Sequence, residues 1–397
     1  MVVDDVDELR RRFVAVRSRT EALAAPLSPE DQQLQSMPSC SPTKWHRAHT
    51  TWFFETFLLA PRGVPPYDPR WGFLFNSYYE AVGPRHARPR RGMLSRPTCA
   101  EIAAYRAAID GRVVELLGAL SGDERAVLEL GLHHEEQHQE LILTDALHAL
   151  AGNPLAPAYR ATPPALAAPS DAPIAWRAFD GGVVQIGATT EGFAFDNERP
   201  RHRVWLEPYE LADRCVTVGE VRAFIDDGGY RTASLWLGEG WDAVQREGWT
   251  APAYWQADGR VFGLDGLRVP AASEPAAFLS YFEADALARW LGARLPTEAE
   301  WERAAPARTT PLDDVATAAL HPGDVWEWTA SSYEAYPGYA PAAGALGEYN
   351  GKFMVNQRVL RGGSCFTPAG HTRPTYRNFW HADTRFQVTG VRLARSR

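Results

Sequence analysis

A stretch rich in alanine and proline divides this chain of 397 residues into two parts of different texture. It spans residues 151–176 and contains Pro154, Pro157, Pro163, Pro164, Pro169 and Pro173. Because proline lacks a backbone N–H and fixes φ, such a segment cannot continue a helix or enter the middle of a sheet. We therefore predict a semi-extended linker over residues 151–178, between a first domain at residues 1–150 and a second at residues 179–397.

The part before the linker carries apolar residues at helical spacing in four long segments. These segments are residues 7–24, 44–59, 98–120 and 123–150. In the third segment, Ile102, Tyr105 and Ile109 recur three and four residues apart, so they share one face of a helix. Four amphipathic segments predict a four-helix bundle, and the core of such a bundle is a common place for metal ligands from facing helices.

The part after the linker alternates short apolar runs with turns rich in Gly, Pro and Asp. Two stretches interrupt this pattern with helical spacing, at residues 217–227 and 281–291. Residues 236–270 show neither a helical nor a strand period, and we expect them to form a surface loop. The whole pattern predicts an α+β domain with many loops, without an internal repeat of fixed length.

The charge balance is mildly acidic, with 41 Lys and Arg against 49 Asp and Glu and a formal net charge of −8. A large nucleic-acid footprint is therefore not expected. No apolar run approaches the roughly 20 residues of a membrane span, and the acidic residues 1–7 lack the layout of a secretion signal. Four scattered cysteines form no CxxC pair. We expect a cytoplasmic protein without a membrane partner; the sequence gives no oligomeric state.

Histidines of the first domain form the most informative chemical pattern. His134 and His138 are four residues apart, so on a helix they share one face and can bind one metal ion. Far upstream, His46 and His49 are three residues apart. We predict His49 as the third ligand, because it falls on the same helix face as Trp45 and its aromatic neighbours. Three imidazoles with open coordination positions suit iron, copper or zinc better than an oxygen-seeking ion.

Two other interpretations of these histidines compete. Residues 134–138 match the pattern His-Glu-x-x-His of zinc proteases, with Glu135 as general base. The extended form of that pattern is absent, and no Glu follows between Glu140 and Glu191 to serve as third ligand. The histidines also fit a solvated polar helix face, because acidic and amide residues surround them. The paired spacing together with the upstream Trp-His-x-x-His favours the metal site.

The sequence also resembles a known family along nearly its whole length. Residues 41–55 and 134–140 resemble the two metal motifs of the sulfoxide synthases of ergothioneine biosynthesis. Residues 294–302, 324–328 and 361–364 are typical of that family's second domain. The resemblance implies a DinB-like four-helix bundle followed by a C-type-lectin-like domain similar to formylglycine-generating enzyme. It also implies that His49, His134 and His138 bind ferrous iron.

The resemblance implies a reaction and further site residues. In that family, dioxygen is used to join the sulfur of a cysteine-type thiol to C2 of the imidazole of hercynine, giving a sulfoxide. Tyr78 and Tyr79 jointly match the proton donors, without a choice between them. Arg85 and Arg88 match the arginines that bind a substrate carboxylate, and Arg suits such bidentate recognition. The residues implied for binding hercynine are Gln137, Asn378, Phe379 and Trp380. The aromatic rings of Phe379 and Trp380 can attract its trimethylammonium group.

The chain departs from the family pattern where the sulfur donor is expected. Residues 38–41 lack an acidic residue, and residues 380–383 lack the proline that we associate with users of free cysteine. A related selenoneine synthase, which attaches selenium from a selenosugar to hercynine, is therefore an alternative. A DinB-like thiol transferase with a divalent metal is a more remote one, as is a binding module without redox activity.

The second domain is not expected to be a catalyst of formylglycine formation. That activity resembles copper chemistry on a pair of nearby cysteines, and only Cys365 lies near Arg361. We therefore expect Cys365 to be a small buried apolar residue. Because aromatic side chains dominate the energetics of protein cores, we expect the tryptophans of the family motifs, Trp301, Trp326 and Trp328, to form core rather than site.

Overall fold

The computed structural model describes residues 6–160, 172–305, 324–342 and 344–397. The chain divides into two compact units. Unit 1 comprises Met1–Ala161, Glu191–Phe193 and Ala342–Tyr349, and unit 2 comprises Thr162–Thr190, Ala194–Pro341 and Asn350–Arg397. Two short segments that follow the predicted linker thus belong to unit 1, although both lie within residues 179–397, the range predicted for the second domain.

Unit 1 is helical. Its helices are α1 (Val6–Ala24), α2 (Thr43–Phe54), the short α3 (Trp71–Phe75), α4 (Cys99–Leu116) and α5 (Gly122–Ala151). Helix α2 continues as a π-helical turn, Glu55–Leu59, so the predicted regular helix to residue 59 changes its hydrogen-bond pattern at Glu55. Helices α1, α2 and α4 pack against one another or against α5, which gives the bundle its core.

Local sequence signals set where helices α4 and α5 begin. Thr98 caps α4 and Ser121 caps α5, each by accepting a hydrogen bond from the backbone N–H three residues later. In both helices the residue at that third position is a glutamate, and its carboxylate accepts a hydrogen bond from the backbone N–H of the capping residue. This reciprocal arrangement satisfies backbone donors that the helix itself leaves unpaired. It fixes where α5, the helix that carries two of the predicted ligands, begins.

Helices α2 and α5 approach closely because Gly131 has no side chain. A Cβ atom at Gly131 would lie 2.5 Å from a ring carbon of Phe54 and 2.9 Å from one of Phe53. Both rings are fully buried. The glycine therefore makes room for the aromatic end of α2 one turn before His134, and it sets the spacing between the two helices that supply the predicted metal ligands.

Unit 2 combines short strands with four α-helices in its described residues. The strands are β1 (Trp176–Phe179), β2 (Gly182–Ile186), β3 (His202–Leu206), β4 (Tyr209–Cys215), β5 (Val261–Gly263), β6 (Gly266–Arg268), β7 (Trp326–Ser332), β8 (Gln357–Arg361), β9 (Asn378–His381), β10 (Thr389–Gly390) and β11 (Arg392–Ser396). The helices are α6 (Val218–Asp226), α7 (Gly238–Glu247), α8 (Tyr281–Trp290) and α9 (Glu298–Ala304). This mixture agrees with the predicted α+β texture.

The strands of unit 2 form two main sheets. Strands β1, β4 and β11 make one antiparallel sheet, and β10, β7, β8 and β9 make a second, in which only the β10–β7 pair is parallel. The pairs β2–β3 and β5–β6 are hairpin-like additions. Strand β9 contains Asn378, Phe379 and Trp380, so the register of the second sheet positions these three predicted binding residues.

Several local predictions can be compared directly with the structure. Trp301, Trp326 and Trp328 are buried, which confirms them as core. The expectation of a buried Cys365 is wrong, because this residue is partly exposed. The expectation of a loop over residues 236–270 is also wrong, since α7 lies there. Residues 161–171 of the predicted linker lie outside the described part of the chain. Among the described residues, no helix is both long and apolar enough to cross a membrane.

Candidate metal centre

Three buried histidines of unit 1 converge at the contact between α2 and α5. His49 lies on α2, and His134 and His138 lie one turn apart on α5. One side-chain nitrogen from each of the three lies within 4.8 Å of the other two. The helical spacing of four residues therefore brings the pair onto one face, as the sequence analysis expected, and the packing of α2 brings His49 to it.

The distances within the trio suit a single ion. The Nε2 atoms of His49 and His134 are 3.2 Å apart, and the His138 ring centroid lies 4.8 Å from that of His49 and 4.6 Å from that of His134. Nitrogens that bind one ion at ~2.1 Å with tetrahedral or octahedral angles are about 3.0 to 3.4 Å apart. The separation of His49 and His134 falls in this range, so the residues fit a metal ion bound through imidazole nitrogens.

The three rings are neutral, which is the form that binds a metal. Burial lowers the pKa of His134 to about 3. Burial, with the neighbouring His134 as the next cause, also lowers the pKa values of His49 and His138 well below the usual range. A protonated imidazole has no lone pair for a metal. The buried position of the trio thus keeps all three nitrogen donors available at neutral pH.

The surroundings of His49 fix its orientation. Its Nδ1 lies 2.6 Å from the carbonyl oxygen of Phe75, at the end of α3. A carbonyl only accepts, so Nδ1 carries the proton and the Nε2 lone pair faces the trio. The His49 ring also stacks between Trp45, at 4.6 Å and 13°, and Trp52, at 5.6 Å and 17°. Two aromatic neighbours on the same helix and one backbone acceptor thus hold this ligand in place.

The first histidine of the Trp-His-x-x-His motif, His46, lies behind the trio. His46 Nδ1 is 2.7 Å from His138 Nδ1, and His46 Nε2 is 3.0 Å from Asp145 Oδ2. The backbone N–H of Ser41 donates to the same carboxylate oxygen at 2.8 Å. His49 rather than His46 is the predicted ligand, and the structure places His46 in contact with His138 rather than within the trio.

Glu135, the residue that a protease would use as general base, faces away from the histidines. It is fully buried and accepts hydrogen bonds from Arg17 at 2.6 Å, Thr20 at 2.6 Å and Arg106 at 2.9 Å. Burial raises its pKa, but the two guanidinium groups outweigh that effect and hold the pKa below the usual value. Glu135 therefore ties α5 to α1 and α4, and it is not placed to activate water at the trio.

Gln137 and three tyrosines lie beside the trio in unit 1. The hydroxyl of Tyr349 donates to Gln137 Oε1, and the Tyr349 ring lies 5.6 Å from that of His134. The Tyr78 ring is 6.0 Å from that of Tyr349 and 4.7 Å from that of Tyr79. Tyr79 is fully buried, whereas Tyr78 is partly exposed. Sequence reasoning missed Tyr349, because its segment shows no period or motif that connects it with α5.

The two predicted arginines occupy the segment before α4. Arg85 forms an ion pair with Glu80, and Arg88 donates to the backbone carbonyl of Ser39. Both contacts are at least partly exposed to solvent. Arg88 thus reaches the stretch in which the sequence lacks the acidic residue common in the family. The role of both arginines in binding a carboxylate stays a prediction.

The predicted binding residues of unit 2 lie on β9. The Phe379 ring stacks on Tyr333 at 4.0 Å and 11°, and the Trp380 ring lies 5.2 Å from Phe386. Asn378 accepts a hydrogen bond from the backbone N–H of Phe379 at 2.8 Å. Among the described residues, the buried Nε1–H of Trp380 finds no acceptor. Aromatic side chains with a spare donor suit a ligand, and their binding role stays a prediction.

Comparison with known proteins assigns both halves of the sequence. Residues 12–151 match the DinB superfamily. Residues 177–313 and 320–397 match the sulfatase-modifying factor enzyme 1-like domain. These matches confirm the predicted fold class, a DinB-like helical domain followed by a domain similar to formylglycine-generating enzyme.

Relatives that are similar over nearly the whole chain carry one name, hercynine oxygenase. That of Mycolicibacterium thermoresistibile is 34% identical, covering 98% of this chain and 94% of the relative. That of Mycobacterium tuberculosis is 35% identical, covering 98% of both. That of Mycolicibacterium smegmatis is 32% identical, covering 91% of this chain and 92% of the relative. With both domain types in the same order, these matches confirm the resemblance seen in the sequence, and the chain belongs to the hercynine oxygenase family of enzymes.

Proposed function

We propose that this protein is an iron-dependent, dioxygen-using enzyme that forms a carbon–sulfur bond at C2 of the hercynine imidazole. The observation that supports it most is the buried trio of neutral histidines, with His49 Nε2 and His134 Nε2 at 3.2 Å, in a member of the hercynine oxygenase family. The sulfur donor is proposed to be a cysteine-type thiol, and the product a sulfoxide in ergothioneine biosynthesis.

The choice of iron rests on the resemblance of the two histidine motifs to those of the family, and the donor set supports it. Imidazole suits zinc, copper, iron and nickel. Zinc has no redox chemistry, so it does not serve a reaction in which dioxygen is the oxidant. Ferrous iron held by His49, His134 and His138 would supply the one-electron chemistry that a reaction with dioxygen needs. The names of the relatives, which specify hercynine and oxygenation, do not favour the selenosugar alternative.

The protein's own residues would bind and orient the substrates. Gln137, next to the ligand His138, is proposed to hold the hercynine imidazole through its side-chain amide. Tyr349, whose hydroxyl contacts that amide, would fix its orientation. Tyr78, Tyr79 and Tyr349 are the proposed proton donors, because their rings contact one another in series, from Tyr79 through Tyr78 to Tyr349, and the Tyr349 ring lies beside His134. Arg85 and Arg88 are proposed to bind a carboxylate of the thiol substrate, for which a guanidinium fork is suited.

Anaerobic reconstitution tests the proposal. Metal-free protein is loaded with ferrous iron, mixed with hercynine and one donor at a time, and then exposed to dioxygen. The donors are cysteine, γ-glutamylcysteine and a selenosugar. We expect oxygen consumption and a sulfur-linked product only when hercynine and a thiol are both present. The matched control is His138→Ala, in which stoichiometric iron binding and turnover are both expected to be lost.

The other outcomes separate the alternatives. If hercynine supports consumption of dioxygen only when the selenosugar is the donor, the protein is a selenoneine synthase. Thiol transfer that proceeds with zinc and without dioxygen would select the DinB-like transferase. If the folded, iron-loaded protein consumes no dioxygen with hercynine and any donor, both the sulfoxide synthase and the selenoneine synthase functions are refuted.

A further inference from the structure

His46 and Asp145 form a chain of contacts that ends on one of the three candidate ligands. We propose that they are a positioning pair for His138: the Asp145 carboxylate fixes the proton on His46, and His46 in turn fixes the ring of His138 so that its Nε2 faces the metal. The inference rests on the proposed function, since it takes His138 as a ligand. It assigns a role to the motif histidine that the ligand set leaves out.

The geometry supplies a continuous path of short contacts. His138 Nδ1 and His46 Nδ1 are 2.7 Å apart, and His46 Nε2 and Asp145 Oδ2 are 3.0 Å apart. Asp145 follows His138 by seven residues, so both project from the same face of α5. Asp145 and His46 are both buried. Because the Ser41 N–H also holds Asp145 Oδ2, the carboxylate itself is fixed.

The order of protons along this path follows from what each group can do. A carboxylate accepts only, so His46 donates to Asp145 through Nε2–H. A neutral His46 then has only a lone pair at Nδ1, and this nitrogen accepts the Nδ1–H of His138. With its Nδ1 proton committed, His138 has its free lone pair on Nε2. The path therefore selects the one tautomer of His138 that binds a metal through Nε2.

The three ligands differ in how the protein holds them. His49 donates to the backbone carbonyl of Phe75, and His138 donates to the His46–Asp145 pair. His134 Nδ1 has no hydrogen-bond partner among the described residues. A carboxylate behind a ligating imidazole orients the ring and raises its basicity. The carbonyl of Phe75 behind His49 is neutral, whereas the His46–Asp145 pair places a carboxylate behind His138.

Metal affinity in the full-length protein tests the pair. We expect Asp145→Asn and His46→Phe to weaken the binding of Fe(II) and of Co(II) about 10–100-fold, the usual effect of removing such a partner. We expect the visible absorption of the Co(II) form to shift in both variants. His46→Asn is expected to retain more affinity than His46→Phe, because an amide oxygen near the Nδ1 position can still accept from His138. The matched control is Glu55→Gln, which changes a buried carboxylate bound to Tyr67 and Tyr105.

The outcomes distinguish this proposal from the proposed function. If wild-type protein binds metal, His138→Ala does not, and Asp145→Asn binds like wild type, the positioning role is refuted and the metal site stands. A His46→Phe variant that binds as well as or better than His46→Asn would show a packing role only, and would also refute it. If His138→Ala binds metal as wild type does, the ligand set itself is refuted. Melting curves of the apo proteins identify any variant that does not fold, and Asp145→Asn, which preserves volume, then decides.

Discussion

Tyr349 brings a phenol to both Gln137 and the ring of His134. We predict that Tyr349→Phe lowers product formation roughly 100-fold, the scale of a lost proton donor, and leaves iron affinity unchanged. The measurement is the rate of product formation at saturating hercynine, with iron affinity determined by titration.

The comparison variant for this prediction is Tyr78→Phe combined with Tyr79→Phe. If this double variant loses product and Tyr349→Phe does not, the proton comes from the earlier pair. If neither variant loses product, none of the three tyrosines has the proposed role. Iron affinity equal to wild type in both variants is required for either conclusion.

At the scale of single residues, the sequence predicts what local spacing controls. His134 and His138 lie one helical turn apart, so their common face can be read from the sequence, and the face of His49 follows from its aromatic neighbours. Tyr349 cannot be found this way, because 212 residues separate it from Gln137 and no local period records their contact. The position of His46 behind His138 likewise depends on how two helices pack.

The approach of α2 to α5 depends on Gly131. We predict that Gly131→Ala destabilises the protein by about 1–3 kcal/mol, because the added methyl group would overlap the rings of Phe53 and Phe54. Chemical denaturation followed by circular dichroism measures the change. The matched control is Gly111→Ala on α4, where no atom lies within 4 Å of the added carbon. There we expect a gain of about 0.4–1 kcal/mol, from the reduced freedom of the unfolded chain.

A pair of glutamates on α9 gives unit 2 two opposing responses to acid. Burial raises the pKa of Glu298, but ion pairs with Arg361 at 2.8 Å and Arg377 at 2.9 Å outweigh it and leave the pKa below 4.5. Burial likewise raises the pKa of Glu302, and there the effect prevails. Glu298 therefore stabilises the fold above pH ~4.5, and this stabilisation is lost as the pH falls towards its folded pKa. Glu302 binds its proton more readily when folded, so its contribution rises as the pH falls.

The test compares unfolding free energies between pH 7 and pH 3. We expect Glu298→Gln to make stability less sensitive to acid than in wild type, and Glu302→Gln to make it more sensitive. Equal slopes for both variants would contradict the assignment of opposite shifts. Slopes reversed between the two would show that the arginines act mainly on Glu302.

At the scale of elements, predictability depends on how strongly side chains mark a helix. The long helices of unit 1 carry large apolar residues at regular spacing, so their positions were readable. Helix α7 was missed because its buried face consists of Gly240, Ala243 and Val244, which give a weak apolar pattern. A Cβ atom at Gly240 would lie 2.9 Å from Phe282, so the close packing of α7 on α8 itself requires the residue that hides the helix from prediction.

Metal binding is predicted to stabilise the whole molecule by mass action. An ion that binds only the folded protein adds about 2.7 kcal/mol at a free concentration 100 times its Kd. We therefore expect Co(II) to raise the melting temperature of wild-type protein, a chelator to reverse the effect, and His138→Ala to abolish it. His202→Ala, which alters a histidine of unit 2, is the control and is expected to respond like wild type. An equal rise in His138→Ala would place the stabilising ion elsewhere.

At the scale of the molecule, the sequence predicted the two-part architecture because the composition changes sharply between its halves. The DinB-like and formylglycine-generating-enzyme-like assignments were readable from motifs and are confirmed by the family matches. The membership of Glu191–Phe193 and Ala342–Tyr349 in unit 1 was not readable, because association over such distances leaves no local pattern. The predicted domain boundaries, which assign these segments to the second domain, stay a prediction.

The direction in which Glu135 points has a consequence for how this scaffold can evolve. Its carboxylate is shared by Arg17, Arg106 and Thr20, so turning it towards the histidines would take one counter-charge from each of two buried guanidinium groups, which would keep Asp110 and Glu21. A single substitution would therefore not make this protein a peptidase, although residues 134–138 match the His-Glu-x-x-His pattern of zinc proteases. A descendant of this protein that cleaved peptides would first have to rebuild the interior of its bundle.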